Sequence, residues 1–172
     1  MSRQITPTVA RRLAITAQGL ANPIPKPSTA TILDVLKRLR CLQLDPIRAV
    51  DRTQYLVLWS RLGNYRRDDL HKLIYEDRHL FEYWAHCASI VLTEDYPIHE
   101  LMMRNYGRGG SAGARRLAQW VQENAEFRQY VLDELRARGP LRTGDFDDSS
   151  KVSWASGGWN SGRTVSYMLD YL

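Results

Sequence analysis

Lysine is scarce in this chain: Lys26, Lys37, Lys72 and Lys151 are the only ones among 24 basic residues, and arginine supplies the rest. Cysteine is scarcer. Cys41 and Cys87 are too few for a disulfide framework and lack metal-ligand spacing, so both read as buried, reduced thiols. His71, His79, His86 and His99 join no metal motif, and nothing implies a cofactor. No apolar run approaches bilayer length, and Met1-Ser2-Arg3-Gln4-Ile5 lacks the apolar core of a signal peptide, so a membrane is excluded as partner and a cytoplasmic location follows by default. The glycines of Tyr106-Gly107-Arg108-Gly109-Gly110-Ser111 neither follow a predicted strand nor end in Gly-Lys-Ser. They are not a nucleotide-binding loop.

What is present is a chain of 172 residues, 44% of them hydrophobic, enough for one ordinary domain or two small ones with packed cores. A formal charge of +5 and a pI near 9.4 favour a polyanionic partner. The guanidinium fork grips phosphate through two parallel hydrogen bonds, which suits nucleic acid. A genome rich in G and C would raise the arginine content equally, so composition does not decide between the two.

Thr6-Pro7 predicts a helix start, a capping hydroxyl followed by proline, with Val9, Leu13, Ala17 and Leu20 as its apolar stripe and an end near Gly19. Asn22-Pro23-Ile24-Pro25-Lys26-Pro27 forms an irregular connector, after which Ser28 or Thr29 caps a second helix burying Ile32, Val35, Leu36 and Leu39. A third helix is expected over 51–61, with Tyr55, Leu58 and Trp59 at helical spacing and Gly63-Asn64 as the stop. A short helix follows over 68–75, capped by Asp68 or Asp69. Two wing strands are expected over 80–85 and 89–92, Glu82, Trp84 and His86 sharing one face of the first. Helices over 114–123 and 127–138, a very short one over 142–146, and a last one over 162–172 complete the chain.

Cys41-Leu42-Gln43-Leu44-Asp45-Pro46-Ile47 alternates polar and apolar residues and ends on a proline, as a short strand would. Gln43 and Asp45 then project to one face and Leu42 and Leu44 into a core. A carboxylate held near a sugar can stabilise an oxocarbenium-like transition state and take a proton from attacking water, which a neutral amide orients. The same alternation is what any half-buried edge strand shows. Arg48, Arg52, Arg61, Arg66 and Arg67 cluster around the third helix as a phosphate track or as a solvated face. Trp84 and His86 could pack against DNA or a displaced base, or be a core aromatic and a satisfied polar residue at the rim.

Leu42-Gln43-Leu44-Asp45, then Arg52-Thr53-Gln54-Tyr55-Leu56 through Ser60-Arg61-Leu62-Gly63, then Phe81-Glu82-Tyr83-Trp84-Ala85-His86, together resemble the N-terminal part of the winged-helix DNA glycosylases of the AlkZ and YcaQ type. The Gln-x-Asp form of the motif is that of the YcaQ-like branch. The resemblance implies a mainly α fold with short β strands, built of tandem winged helix-turn-helix units. The resemblance also implies Gln43 and Asp45 as catalytic residues and duplex DNA with alkylated or crosslinked purines as the partner. The glycine-rich, basic stretch Tyr106-Gly107-Arg108-Gly109-Gly110-Ser111 is expected to separate a first unit at 1–106, with the motif, from a linker at 107–113 and a partial second unit at 114–172.

A purine alkylated at N7 is already cationic, so its departure needs no general acid. A motif with Asp45 and no second acid beside it fits that chemistry. The absence of lysine from the motif argues against a Schiff base. Relatives continue past the end of this chain, whose last helix stops mid-pattern, so the second unit is expected to be truncated and loose with Met168, Leu169 and Leu172 uncovered. The rival reading is a winged-helix transcriptional regulator without enzymatic activity. The oligomeric state is open, a monomer being the expectation.

Overall fold

The computed structural model describes residues 4–21, 23–154 and 163–172. By compactness the chain divides into two units, Met1–Ile98 and His99–Leu172, each with its own core.

In the first unit, Thr6 Oγ1 accepts the Val9 N–H at 3.3 Å and opens α1 (Pro7–Ala17). The apolar stripe of this helix is not buried. Val9, Leu13 and Leu20 are 43%, 57% and 47% exposed, because the described residues of the unit meet α1 mainly at its C-terminal end. There the Arg61 Nε donates to the Gln18 carbonyl at 2.9 Å. Asn22 of the expected connector lies outside the described residues.

Helix α2 (Thr29–Leu39) begins with a reciprocal cap. Ser28 Oγ accepts the Thr31 N–H at 3.2 Å and Thr31 Oγ1 accepts the Ser28 N–H at 2.8 Å, a threonine doing the work usually given to Glu or Gln. It buries Ile32 and Leu36 completely. Arg40, with φ of 66°, turns the chain into β1 (Cys41–Gln43). Helix α3 (Thr53–Leu62) buries Gln54, Leu58 and Leu62, residues four apart, which leaves Trp59 off the stripe and 61% exposed.

Helix α4 (Arg67–His71) carries Asp68 and Asp69 in its first turn, but Arg66 occupies the cap position and no side chain caps the helix. The helix then widens into a π-helical turn, Lys72–Glu76. Strands β2 (Leu80–Trp84) and β3 (Ala88–Leu92) form a hairpin, and β1 adds to β3, giving the antiparallel order β1-β3-β2. Leu42, Ile90, Leu80 and Leu92 face the helices and pack with Ile32, Leu36, Leu58, Leu62, Leu70 and Leu73.

Helix α5 (Tyr96–Asn105) carries the chain from the first unit into the second. The stretch 107–113, expected as a linker between units, joins α5 to α6 within the second. Ser111 Oγ accepts the Ala114 N–H at 3.1 Å and opens α6 (Ala112–Glu123). Then come α7 (Ala125–Arg138), a 3-10 turn at Thr143–Asp145 and α8 (Thr164–Tyr171). The expected start of the last helix at Gly162 lies outside the described residues.

Asn124 joins α6 to the chain beyond α7. Its side-chain amide donates to the carbonyls of Trp120 (2.9 Å) and Val152 (3.0 Å) and its oxygen accepts the Val152 N–H at 3.1 Å. Met168, expected to be uncovered, is fully buried with Val165, Phe127, Val131 and Trp120, while Leu172 stays 43% exposed. The expectation that Met168 is uncovered is corrected: the last helix has a core to pack on. Among the described residues the second unit contains no strand. No described helix is long and apolar enough to cross a membrane.

Candidate active site

The β1 ladder is set by its register. Gln43 pairs with Ser89, and Ser89 with Tyr83; one step back, Leu42 pairs with Ile90, and Ile90 with Glu82. Residues directly opposite share a face and successive residues alternate, so Gln43, Ser89 and Tyr83 lie on one side of the sheet and Leu42, Ile90 and Glu82 on the other. The ladder runs one bond further, the Leu44 N–H donating to the Ala88 carbonyl at 2.8 Å, and stops there. Asp45 follows, held before Pro46 in an extended region, and its Oδ1 accepts the Ile47 N–H at 2.8 Å.

Beside Asp45 opens a cavity of about 290 Å³ walled by α3, α4, the π-helical turn and the sheet, to which Asp45, Arg52, Gln54, Tyr55, His71, Tyr75 and Glu82 contribute. Two polar pairs are already made in its wall. The Tyr75 hydroxyl donates to Glu82 Oε1 at 2.9 Å, and the Tyr55 hydroxyl lies 3.1 Å from His71 Nε2. Burial first, and then the bond to Glu82, raise the Tyr75 pKa. The guanidinium of Arg67 stands 4.4 Å from the centre of the Tyr55 ring while paired with Asp51. Gln54 is 4% exposed and its Oε1 has no hydrogen-bond partner among the described residues.

The structure therefore brings Asp45 and Arg52 to the cavity and leaves Gln43 on the other face of the sheet. Glu82 was singled out in the sequence only as a neighbour of Trp84, and the expectation that no second acid stands beside Asp45 is corrected: Glu82 lines the same cavity. Its place follows from pairing with Ile90 across the β2–β3 hairpin, a register that the sequence reading did not assign. Tyr75 and His71 carried no motif, and Gln54 and Tyr55 stood in the second block of the resemblance without a role at the site.

The other expected residues are dispersed. Arg48 and Arg66 are exposed. Arg61 is half-buried and committed inward, to the carbonyls of Gln18 and Val57, each at 2.9 Å; burial and then the charge of Arg38 lower its pKa. Trp84 is 64% exposed and not a core residue. His86 sits in the β2–β3 turn between the two cysteines, its Nδ1 3.9 Å from Cys41 Sγ and its Nε2 3.2 Å from Cys87 Sγ. Both thiols are half-buried, not buried as expected, because the turn that holds His86 is open to solvent.

Two comparisons bear on this arrangement. Residues 36–172 match the model of a family described as DNA glycosylase AlkZ-like, and the matched span takes in β1, Asp45 and every wall of the cavity. No solved structure matches the chain.

Proposed function

The chain belongs to the AlkZ-like DNA glycosylase family, and on that premise we propose that it removes alkylated purines, crosslinked ones included, from duplex DNA at the cavity beside Asp45. The observation that carries the reading is the position of Asp45, at the end of a strand, beside a cavity large enough for a purine and walled by aromatic rings. In this reaction water attacks C1′ of the deoxyribose and the C1′–N9 bond breaks. The bonding pair passes to N9 and neutralises the cationic base, and the Asp45 carboxylate takes the proton that the water loses. The products are the neutral alkylated base and an abasic sugar. No acid is required for a leaving group that is already a cation.

The order α2, β1, α3, α4, β2, β3 supports reading the first unit as a winged-helix unit, with the β2–β3 hairpin as its wing. On this reading exposed Trp84 and the arginines Arg48, Arg52 and Arg66 approach the duplex, whose phosphates give binding a strong salt dependence. A regulator without activity is not favoured by a match to a family of glycosylases. Gln43, on the other face of the strand from the cavity, acts on this proposal on the DNA backbone and not on the water at Asp45.

The test is release of N7-methylguanine from duplex DNA. Asp45→Asn is expected to retain DNA binding and to lower excision by about a hundredfold or more, the scale of a lost acid–base group. Wild-type rates in that variant would remove Asp45 from the chemistry. Gln43→Ala is expected to cost less; a larger loss would exchange the two roles.

A further inference from the structure

We propose that Glu82, anchored by Tyr75, selects cationic bases over neutral ones at this cavity, an assignment that rests on reading the cavity as the site of base excision. The sheet register alone brings Glu82 there: it pairs with Ile90, and both line the cavity with Asp45. The Tyr75 hydroxyl fixes one oxygen of the carboxylate at 2.9 Å, which aims the group while leaving its charge intact. Two carboxylates, Asp45 and Glu82, share the space with one guanidinium, Arg52.

The rest of the wall suits a flat cation. Tyr55, His71 and Tyr75 form a chain of rings, with centroids 6.3 Å and 6.2 Å apart and planes inclined by 58° and 62°. Aromatic faces attract positive charge, and Arg67 already uses one face of Tyr55 in this way. Gln54 adds a buried acceptor without a partner among the described residues, a condition that an incoming hydrogen-bond donor relieves. A purine carrying an N7-alkyl group and an exocyclic amine offers a cation, a plane and a donor. A neutral purine lacks the first and gains least from Glu82.

The experiment compares the full chain, Glu82→Gln and Tyr75→Phe by two readouts. One is the half-saturating concentration and maximal rate for excision of N7-methylguanine from duplex DNA. The other is binding of 7-methylguanosine against guanosine, followed by NMR. Glutamine keeps the size and hydrogen bonding of Glu82 and removes its charge, and its exposed position makes misfolding an unneeded explanation.

Glu82→Gln is expected to raise the half-saturating concentration about tenfold, the scale of one charge-assisted contact, and to erase the preference for 7-methylguanosine. Tyr75→Phe, which frees the carboxylate but keeps its charge, should fall between the two. A preference for 7-methylguanosine that survives Glu82→Gln overturns the assignment, as does a loss confined to the maximal rate. If no form of the chain releases a base, the excision reading fails by itself. The nucleoside preference then still decides whether Glu82 serves a cation site: present and lost in Glu82→Gln upholds it, absent from the full chain overturns it.

Discussion

Replacing Leu42 by alanine tests the alternation on which the site depends. Leu42 is 1% exposed, sits between Cys41 and Gln43, and faces Ile32, Leu36, Leu58 and Ile90. The change removes three carbons, worth about 2 kcal/mol of transfer free energy at roughly 0.8 kcal/mol each. Close packing on both sides keeps the space from collapsing, and the remaining void adds about 1 to 2 kcal/mol, for a total near 3 to 4 kcal/mol. With a urea slope of about 1 to 3 kcal/mol/M, the unfolding midpoint of the first unit should fall by about 1 to 4 M. Circular dichroism and fluorescence of Trp59 and Trp84 follow that transition, and Leu172→Ala, at a residue 43% exposed, serves as the control with a loss below about 0.5 kcal/mol. A loss below about 1 kcal/mol at Leu42 would mean that the strand presents its other face to the core. Gln43 would then point inward, and the assignment of faces on both sides of the sheet would have to be exchanged.

Asn124→Ala should cost about 2 to 4 kcal/mol, because it strands the Val152 N–H and removes a buried side chain that makes three hydrogen bonds; denaturant titration of the second unit checks this. Arg61→Met keeps the packing of the stem but cuts the bond to the Gln18 carbonyl, so protease cleavage around residues 18–21 should accelerate while that within α2 does not. Tyr65 has its pKa pushed up to about 12, by burial above all. The folded state therefore holds that proton more tightly than the unfolded one. The resulting stability is complete below about pH 10, the ordinary tyrosine value, and is lost as pH rises towards 12. Because the ring is half-exposed the loss should be small, about 1 kcal/mol or less after allowance for solvent. Tyr65→Phe should flatten that part of the stability profile, and an unchanged slope would contradict the cause given.

Local signals in the sequence were the legible ones. Thr6-Pro7, Ser28 and Gly63 mark helix ends because caps and left-handed stops involve residues within one turn. The alternation around Leu42 marks the strand because the pleat has a fixed period, and three sequence blocks in the right order marked the family. Burial that depends on distant partners was not legible. Val9 and Leu13 make a good apolar stripe that the described residues do not cover, whereas Met168, at the chain end, finds Phe127 and Val131. Arg61 reads as one more basic residue near α3 until its carbonyl partners are seen. The cavity is the clearest case. Asp45 was singled out by the alternation together with the family resemblance, but Glu82 reaches the cavity through cross-strand pairing, and Tyr75 through a turn whose irregular winding no periodicity rule anticipates.

That turn has a consequence for descent. A π-helical turn is what remains when one residue is inserted into an α-helix and the neighbouring turns keep their places. Loss of a single codon between Lys72 and Glu76 would restore regular winding; the flanking turns keep their places, and the residues of the wide turn, Tyr75 among them, take up the change. Tyr75 would leave Glu82 without altering either residue's identity. On the proposed role of Glu82, relatives that keep the tyrosine and the glutamate but differ in length between His71 and Leu80 are expected to differ in their preference for cationic over neutral bases.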